Sequence, residues 1–568
     1  VKNNLPSPRE GSGVGFSSPR EGAGVGLFFI ALLLCAAQTA GACTNLIVGR
    51  SASSNGSVIV SYSADDYGSY GYLFFAPRAK HKRGVMRPIY HYETGNYLGE
   101  IPEARETFQR VGLTNEWQVT VTETTFGGRE ELWEGKDGIV DYGSLMLIAL
   151  ERARTAREAI DVMTETVARY GYASEGETFT VADKNEVWLM EMIGKGREEK
   201  GAVWVALRVP DDCITAHANQ SRIGRFPLND PERCRYSKDV ITFARRKGYY
   251  KGENDGDFSF REAYAPADFV ALRCCEARVW SFFNRWGEGD MERWLPYVMG
   301  DAAAEALPLW VKPKKKLTCQ DVKDMMRDHY EGTPLAIDDG VGAGPYRMPY
   351  RPTPLVWEAD SVKYFHERPI STQQTACVYV AEMRSWMPDW AGSCLWYGND
   401  DANMIPLVPL YPGSMQTVPE CFHPNSGNAF TFSFRSAYWL QNWVSNMVYA
   451  RYCQLFPELR TERDRLERDW RSLQADVERE ALARGDTEGR AALNAYSHRA
   501  AGQMMDEWSM LAQRLIVKYN DMAEKATDAE GRWLKTPGGQ PRPVKRPGYP
   551  EAWRRRIVDE EGGRYKVR

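Results

Sequence analysis

Cys43-Thr-Asn-Leu-Ile-Val-Gly49, the turn signal Ser53-Ser-Asn-Gly56 and Ser57-Val-Ile-Val-Ser-Tyr62 form the stretch on which the fold of this 568-residue chain is decided. Two short apolar, β-branched runs on either side of a Ser/Asn/Gly turn predict a β-hairpin. With the turn centred between Ser53 and Gly56, Cys43 faces position 66, so Asp65 and Asp66 arrive beside its thiol at the end of the partner strand. A carboxylate there orients or stabilises an ammonium group. The competing reading is a solvated Asp-Asp turn ahead of Tyr67-Gly68.

What precedes the hairpin makes Cys43 chemically interesting. Ser7-Pro-Arg-Glu-Gly-Ser-Gly-Val-Gly15 returns as Ser18-Pro-Arg-Glu-Gly-Ala-Gly-Val-Gly26, a tandem too rich in Gly, Ser and Pro to build a core, and one that fits a mis-assigned start site. Leu27 to Ala37 is an apolar run shorter than the about 20 residues a bilayer span needs. Ala40-Gly41-Ala42 follows as a small-residue cleavage pattern. Residues 1–42 therefore read as a low-complexity leader and signal peptide removed after Ala42, which gives the chain an extracytoplasmic address, periplasmic or secreted. The basic n-region is weak, because Glu21 cancels Arg20. A lipidated Cys43 is the rival reading; Ala40 stands where that motif prefers Leu, and acylation would block the amine.

A chain that starts at cysteine carries a thiol and an α-amine on one residue. Their ordinary pKa values are about 8.5 and about 7.7–8.0, so the amine is a base suited to neutral pH within reach of the nucleophile. The bland alternative for Cys43 is the first ordered residue of a strand, or half of a disulfide.

Composition narrows the rest. Hydrophobic residues make up 43% of the chain and 18 Trp and 29 Tyr demand burial, which argues against disorder. A net charge of −4 leaves no basic field for nucleic acid, and no segment supports a stable membrane span. Gly143 to Gly171 is a helical pattern with a break near Ala153–Thr155; Phe179–Asp183, Glu186–Met190 and Ala202–Ala206 read as strands joined by turns. Antiparallel strands with separate helices give α+β rather than a doubly wound sheet. Of the 11 Cys, Cys35 lies in the signal and nine remain besides Cys43; Cys213–Cys234 is the most local candidate bridge. No spacing forms a zinc site, and no metal or cofactor is called for. His217 beside Asn219 reads as a buried, hydrogen-bonded histidine or a site-lining one, and His329 is equally open. Glu458 to Ala526 reads as two antiparallel helices parted near Gly485–Gly489, their charges a solvated face. The organisation is a catalytic domain over 43–430, a helical extension over 431–530 and a Pro/Gly-rich basic tail over 531–568.

The opening Cys43-Thr-Asn-Leu-Ile-Val-Gly-Arg with Asn55-Gly-Ser-Val, Tyr62 and Asp65-Asp66 resembles the Cys-type N-terminal-nucleophile dipeptidases, the PepD-like family. Asn115-Glu116, Thr122-Glu-Thr-Thr-Phe-Gly-Gly128, Asp141-Tyr-Gly-Ser144, Glu186-Val-Trp-Leu-Met-Glu191, His217-Ala-Asn-Gln220, Asp328-His-Tyr-Glu-Gly-Thr-Pro334 and Asp400-Asp-Ala-Asn403 agree, so the likeness covers roughly 43–450 and is similar to an exported Bacteroidetes-like branch. The resemblance implies a four-layer αββα fold and hydrolysis of dipeptides through a thioester on the exposed cysteine. By it, Cys43 matches the nucleophile, Asp65 the amine-orienting acid, and Asn219, ending an expected strand Thr215–Asn219, the oxyanion-hole Asn. Thr124 or Thr125 matches a further polar site residue, and Arg273 or Arg278 a distant active-site Arg; Thr124 and Arg278 are taken as substrate-binding. The Arg that related acylases carry three residues before the Asp is replaced by Tyr62. A dipeptidase also has to grip its substrate's ammonium and carboxylate: Glu123 is the candidate for the first, an Arg for the second, while a surface acid at a strand end is the equal alternative for Glu123. Two rivals stand beside the dipeptidase: an acylase of the same fold acting on a non-peptide amide, and a non-catalytic cell-surface binding protein. Whether the chain forms a homo-oligomer is open.

Overall fold

The strands at the head of the chain form as their alternation requires, and they lie at the centre of one of two facing sheets. The computed structural model describes residues 43–133 and 135–567. The leader, the signal segment and the cleavage position after Ala42 lie outside the described residues. Strands β1 (Asn45–Val48) and β2 (Val58–Asp65) pair antiparallel. Strand β3 is Thr120–Gly127, β4 Gly176–Ala182, β5 Ile214–His217 and β6 Thr375–Met383. One antiparallel seven-stranded sheet runs Trp310–Val311, β5, β1, β2, β6, Ser393–Asn399, Val408–Leu410. The other, eight-stranded and antiparallel, runs Cys234–Tyr236, Ala202–Arg208, Val187–Gly194, β4, β3 and three short strands ending at Phe75–Ala76.

The inner faces meet in one apolar cluster, Ile47, Val58, Val60 and Met383 from the first sheet with Leu189, Val203 and Val205 from the second. Helices cover the outer faces. α1 (Tyr142–Arg152) and α2 (Ala156–Tyr170) pack on β3 and β4, and α3 (Ala277–Trp286) packs on β5. The break between α1 and α2 falls where expected. Ala153 turns extended, and Thr155 caps the new helix by accepting from the Glu158 backbone. The fold is thus α+β, with helices outside two packed antiparallel sheets.

At the C-terminal end α4 (Ala437–Tyr449), α5 (Tyr452–Arg484) and α6 (Asp486–Tyr519) lie against the seven-stranded sheet. Gly485, at φ +79°, makes the joint between α5 and α6. The charge run of α5 is only partly a solvated face. Glu467 is buried with Lys323 at 3.1 Å and with Arg327, and Glu478 is buried 2.8 Å from Arg384. These pairs tie α5 to the body, so the described residues form one compact unit. The tail contains a helix, Glu551–Tyr565, which Pro/Gly-rich composition upstream concealed.

Two sequence expectations are corrected here. The hairpin register is shifted by two positions, with Ile47 opposite Val60 and Thr44 opposite Ser63, so Cys43 faces residue 64 rather than 66. The cause is the loop: Gly49, Ser51 and Ala52 donate to Cys213 and Asp211 carbonyls and Ser54 to Leu317, not to β2. A two-residue shift keeps every side chain on its expected face. Secondly, Cys213 and Cys234 are free thiols, as are all ten described cysteines. Cys213 leads into β5 of one sheet and Cys234 opens an edge strand of the other. Among the described residues no helix is long and apolar enough to cross a membrane.

Candidate active site

Cys43 sits two residues before β1, where that strand crosses β3 of the facing sheet. Asn45 fastens the crossing: its Nδ2 donates to the Glu123 carbonyl at 2.8 Å and its Oδ1 accepts from the Thr122 hydroxyl. Each chemical handle of Cys43 is then separately held. Its backbone nitrogen donates to Asn219 Oδ1 at 2.9 Å. Its carbonyl accepts from Arg278 Nη1 at 2.8 Å. Its sulfur lies 3.7 Å from Tyr62 Oη and 3.6 Å from Glu123 Oε1, and Tyr62 donates to that same carboxylate oxygen at 2.8 Å.

Arg278 is fully buried on α3, and its five N–H groups all have acceptors: Cys274 O, Cys43 O, Thr44 Oγ1, Ala218 O and Asn219 Oδ1, at 2.8–3.1 Å. It therefore positions Cys43 and has no N–H left to grip a substrate carboxylate, which corrects its sequence assignment. Arg273, the other candidate, pairs with Glu367.

Asn219 lies two residues beyond β5, which ends at His217 rather than at Asn219, with φ +66°, a left-handed conformation that Asn tolerates. Its Nδ2 donates to Thr125 O at 2.9 Å while its Oδ1 takes Cys43 N and Arg278 Nη2. The amide oxygen thus holds the cysteine nitrogen, and one of the two Nδ2 hydrogens is spent on Thr125 O.

Asp65 ends β2 and is buried. It accepts from Ser63 Oγ at 3.0 Å and Thr375 Oγ1 at 2.7 Å, and pairs with Arg368. Arg368 Nη1 reaches Thr44 Oγ1 at 3.4 Å, so the acid acts on the cysteine segment through the arginine and through its field. Asp66 instead closes a turn onto Gly68 N and Ser69 Oγ. Arg368 left no sequence signal, since it is an isolated Arg 303 residues from Asp65.

Thr124 does not line the site. Its hydroxyl meets His217 Nδ1 at 2.7 Å, and Thr180 meets Nε2 at 2.7 Å. Burial, with Arg222 assisting, lowers the His217 pKa to about 3, so this is a neutral histidine bonded between the sheets. His329 is likewise buried, bonded to Glu331 at 3.1 Å. Thr125 bonds to Glu177 at 2.8 Å.

The electrostatics of the site are acidic. Burial, then Glu123, then Asp65 push the Cys43 thiol well above its ordinary range; the Tyr62 hydroxyl and the Asp65 backbone oppose them. Burial raises Glu123 to about 7 against the hydrogen bonds from Tyr62 and Cys43.

A buried thiol whose nitrogen, carbonyl and sulfur are each constrained is organised for nucleophilic work, and comparison with known proteins agrees. The family model "Peptidase family C69" matches residues 76–464. The chain belongs to peptidase family C69. It is a peptide hydrolase, and the C of C69 denotes the cysteine class. The C69 match contains Glu123, Asn219, Arg278 and Arg368, while Cys43, Tyr62 and Asp65 lie ahead of it. Among its relatives, a probable dipeptidase of Latilactobacillus sakei is 25% identical over 436 residues, 72% of this chain and 82% of that protein. A probable dipeptidase of Salmonella dublin is 26% identical over 403 residues, 66% of this chain and 82% of the relative. Probable dipeptidase A of Streptococcus pyogenes serotype M1 is 26% identical over 435 residues, covering 72% and 82% respectively.

Proposed function

We propose that this C69 peptidase is an exported dipeptidase whose nucleophile is Cys43, freed by cleavage after Ala42. The observation that carries the reading is the separate anchoring of the three handles of Cys43. The relatives named probable dipeptidases support the substrate class.

In this reading the free α-amine, held by Asn219, takes the thiol proton. The thiolate attacks the carbonyl of the first substrate residue and forms a tetrahedral adduct. The C–N bond breaks as the ammonium of Cys43 returns the proton to the departing amino acid, leaving a thioester. Water, deprotonated by the same amine, attacks the thioester and releases the first amino acid and the thiol. Arg278 and Asn219 keep the residue fixed through both steps, so that little reorganisation is left to the reaction. The leader ahead of Cys43 supplies the extracytoplasmic address.

Terminal sequencing and intact mass of active protein, together with turnover of a dipeptide panel against acyl amides, test this. The expected result is an unblocked Cys43 terminus and hydrolysis of dipeptides. Active material that retains residues ahead of Cys43, or carries an acylated amine, refutes the mechanism. Preferential cleavage of acyl amides would make the protein an acylase, and full function in Cys43→Ala would make it a binding protein.

A further inference from the structure

One carboxylate, Glu123, stands beside Cys43 and a second, Glu177, on the neighbouring strand, and neither has a cation to answer it among the groups that weigh on it most. Glu123 on β3 and Glu177 on β4 project from the same sheet face, since Thr125 pairs with Glu177 and Glu123 with Phe179. Their exposures are 2% and 0%. Each has one carboxylate oxygen bonded, Glu123 Oε1 to Tyr62 and Glu177 Oε1 to Thr125, and one, Oε2, with no hydrogen-bond partner. The charged groups that act most strongly on the pair are further acids: Glu93 and Asp65 on Glu123, and Glu123, Glu175 and Glu93 on Glu177. A buried charge of this kind is costly unless a cation meets it.

We propose that Glu123, backed by Glu177, is the socket for the α-ammonium of the substrate's first residue, and that this contact selects the carbonyl of that same residue for attack. The proposal rests on the dipeptidase reading above. The distances close. In an α-amino acyl unit the nitrogen lies about 2.5 Å from the carbonyl carbon, by ordinary bond lengths and angles. A nucleophile attacks from about 3–3.5 Å, and an ammonium meets a carboxylate at about 2.8 Å. With Glu123 Oε1 only 3.6 Å from Sγ, one bound ammonium brings its own carbonyl onto the sulfur. A carbonyl one residue further along would move the ammonium away by about 3.8 Å, the span of one peptide unit.

The socket also couples recognition to reactivity. Glu123 is the second-largest influence, after burial, holding the thiol protonated. An ammonium settled against that carboxylate cancels the influence and favours the thiolate only when a substrate with a free amino end has arrived.

The test compares a free dipeptide with its N-acetyl form on processed protein, using wild type, Glu123→Gln and Glu177→Gln. Iodoacetamide alkylation of Cys43 without substrate provides a second readout. Wild type is expected to prefer the free dipeptide by about 100-fold or more in kcat/KM, the scale of a lost buried charge contact. Glu123→Gln should bring that ratio near one by losing activity on the free dipeptide alone, while its thiol alkylates faster than in wild type. Glu177→Gln should narrow the ratio less. Because unfolding would also expose this buried thiol, retained cleavage of the N-acetyl compound and an unchanged circular dichroism spectrum are the readouts that show the variant's site is folded. Equal cleavage of both compounds by wild type, or an unchanged ratio in Glu123→Gln, overturns the socket and leaves the dipeptidase standing. Turnover of neither compound overturns the dipeptidase reading and the socket with it.

Discussion

Replacing Asp65 by Asn separates the observed geometry of the hairpin from the one its sequence suggests. Asn has nearly the same shape, but Thr375 Oγ1 and Ser63 Oγ donate to different oxygens of Asp65, at 2.7 and 3.0 Å, and the single amide oxygen can accept from only one of them. What disappears is the charge opposite Arg368, in a pair whose side chains are 0% and 7% exposed. Removing one partner of a buried pair costs about 3–5 kcal/mol, mostly because the other charge remains buried. With only one accepted hydrogen bond kept, Asp65→Asn falls within that range, about 3–5 kcal/mol. Asp66→Asn is the control. Its side chain only closes a turn onto Gly68 and Ser69, and such a surface exchange changes stability by about 0.5 kcal/mol or less. The assay is urea unfolding of both variants followed by tryptophan fluorescence, with kcat/KM on a dipeptide measured in parallel. Asp65→Asn should lose stability and most of its activity, because Arg368 reaches Thr44 beside the nucleophile. If Asp65→Asn stays within about 1 kcal/mol of wild type, or if Asp66→Asn is the more damaging, the register and the buried pair are wrong.

Three further outcomes are expected. Cys43→Ala should lose about 10⁴-fold or more in kcat with its fold intact by circular dichroism, the scale seen when a nucleophile is deleted. Arg278→Lys should lower kcat/KM by about 100-fold, since three ammonium hydrogens cannot reproduce five directed N–H bonds and the cysteine shifts; a loss below about threefold would show that the fork is dispensable. Glu123 is held at about 7 in the fold against an ordinary 4.5, so between those pH values the native state keeps a proton that the unfolded chain has released, and stability falls as pH rises through the window. At 1.36 kcal/mol per unit this is about 3 kcal/mol. Glu123→Gln should therefore be more stable than wild type at pH 8 and equal to it near pH 4.5, as urea unfolding at the two pH values would show.

How much of this was legible in the chain follows from how far apart the interacting residues lie. The break between α1 and α2 is written locally, in an extended Ala153 and a Thr155 cap, and was readable; so was Gly485 between the long helices. The face of the hairpin was readable because period-two alternation fixes it, whereas its register was not, because residues Gly49–Ser54 bond to Asp211, Cys213 and Leu317. The proposed nucleophile could be named from one residue type at one position. Its surroundings could not be assigned in the same way. A sequence can show that Arg278, Asn219 and Thr124 are polar, but whether a donor is spent on backbone or left for a substrate depends on which carbonyls the fold brings to it. Arg278 has no N–H to spare, and Thr124 turns toward His217. Glu123 is the converse case. Its identity as an acid was visible, while the property that makes it functional, a carboxylate buried among other acids 3.6 Å from a thiol, arises only when β3 crosses the head of β1. On the proposed reading the fold accepts a costly acidic locus where a substrate can supply the missing positive charge, so the penalty and the specificity have the same origin.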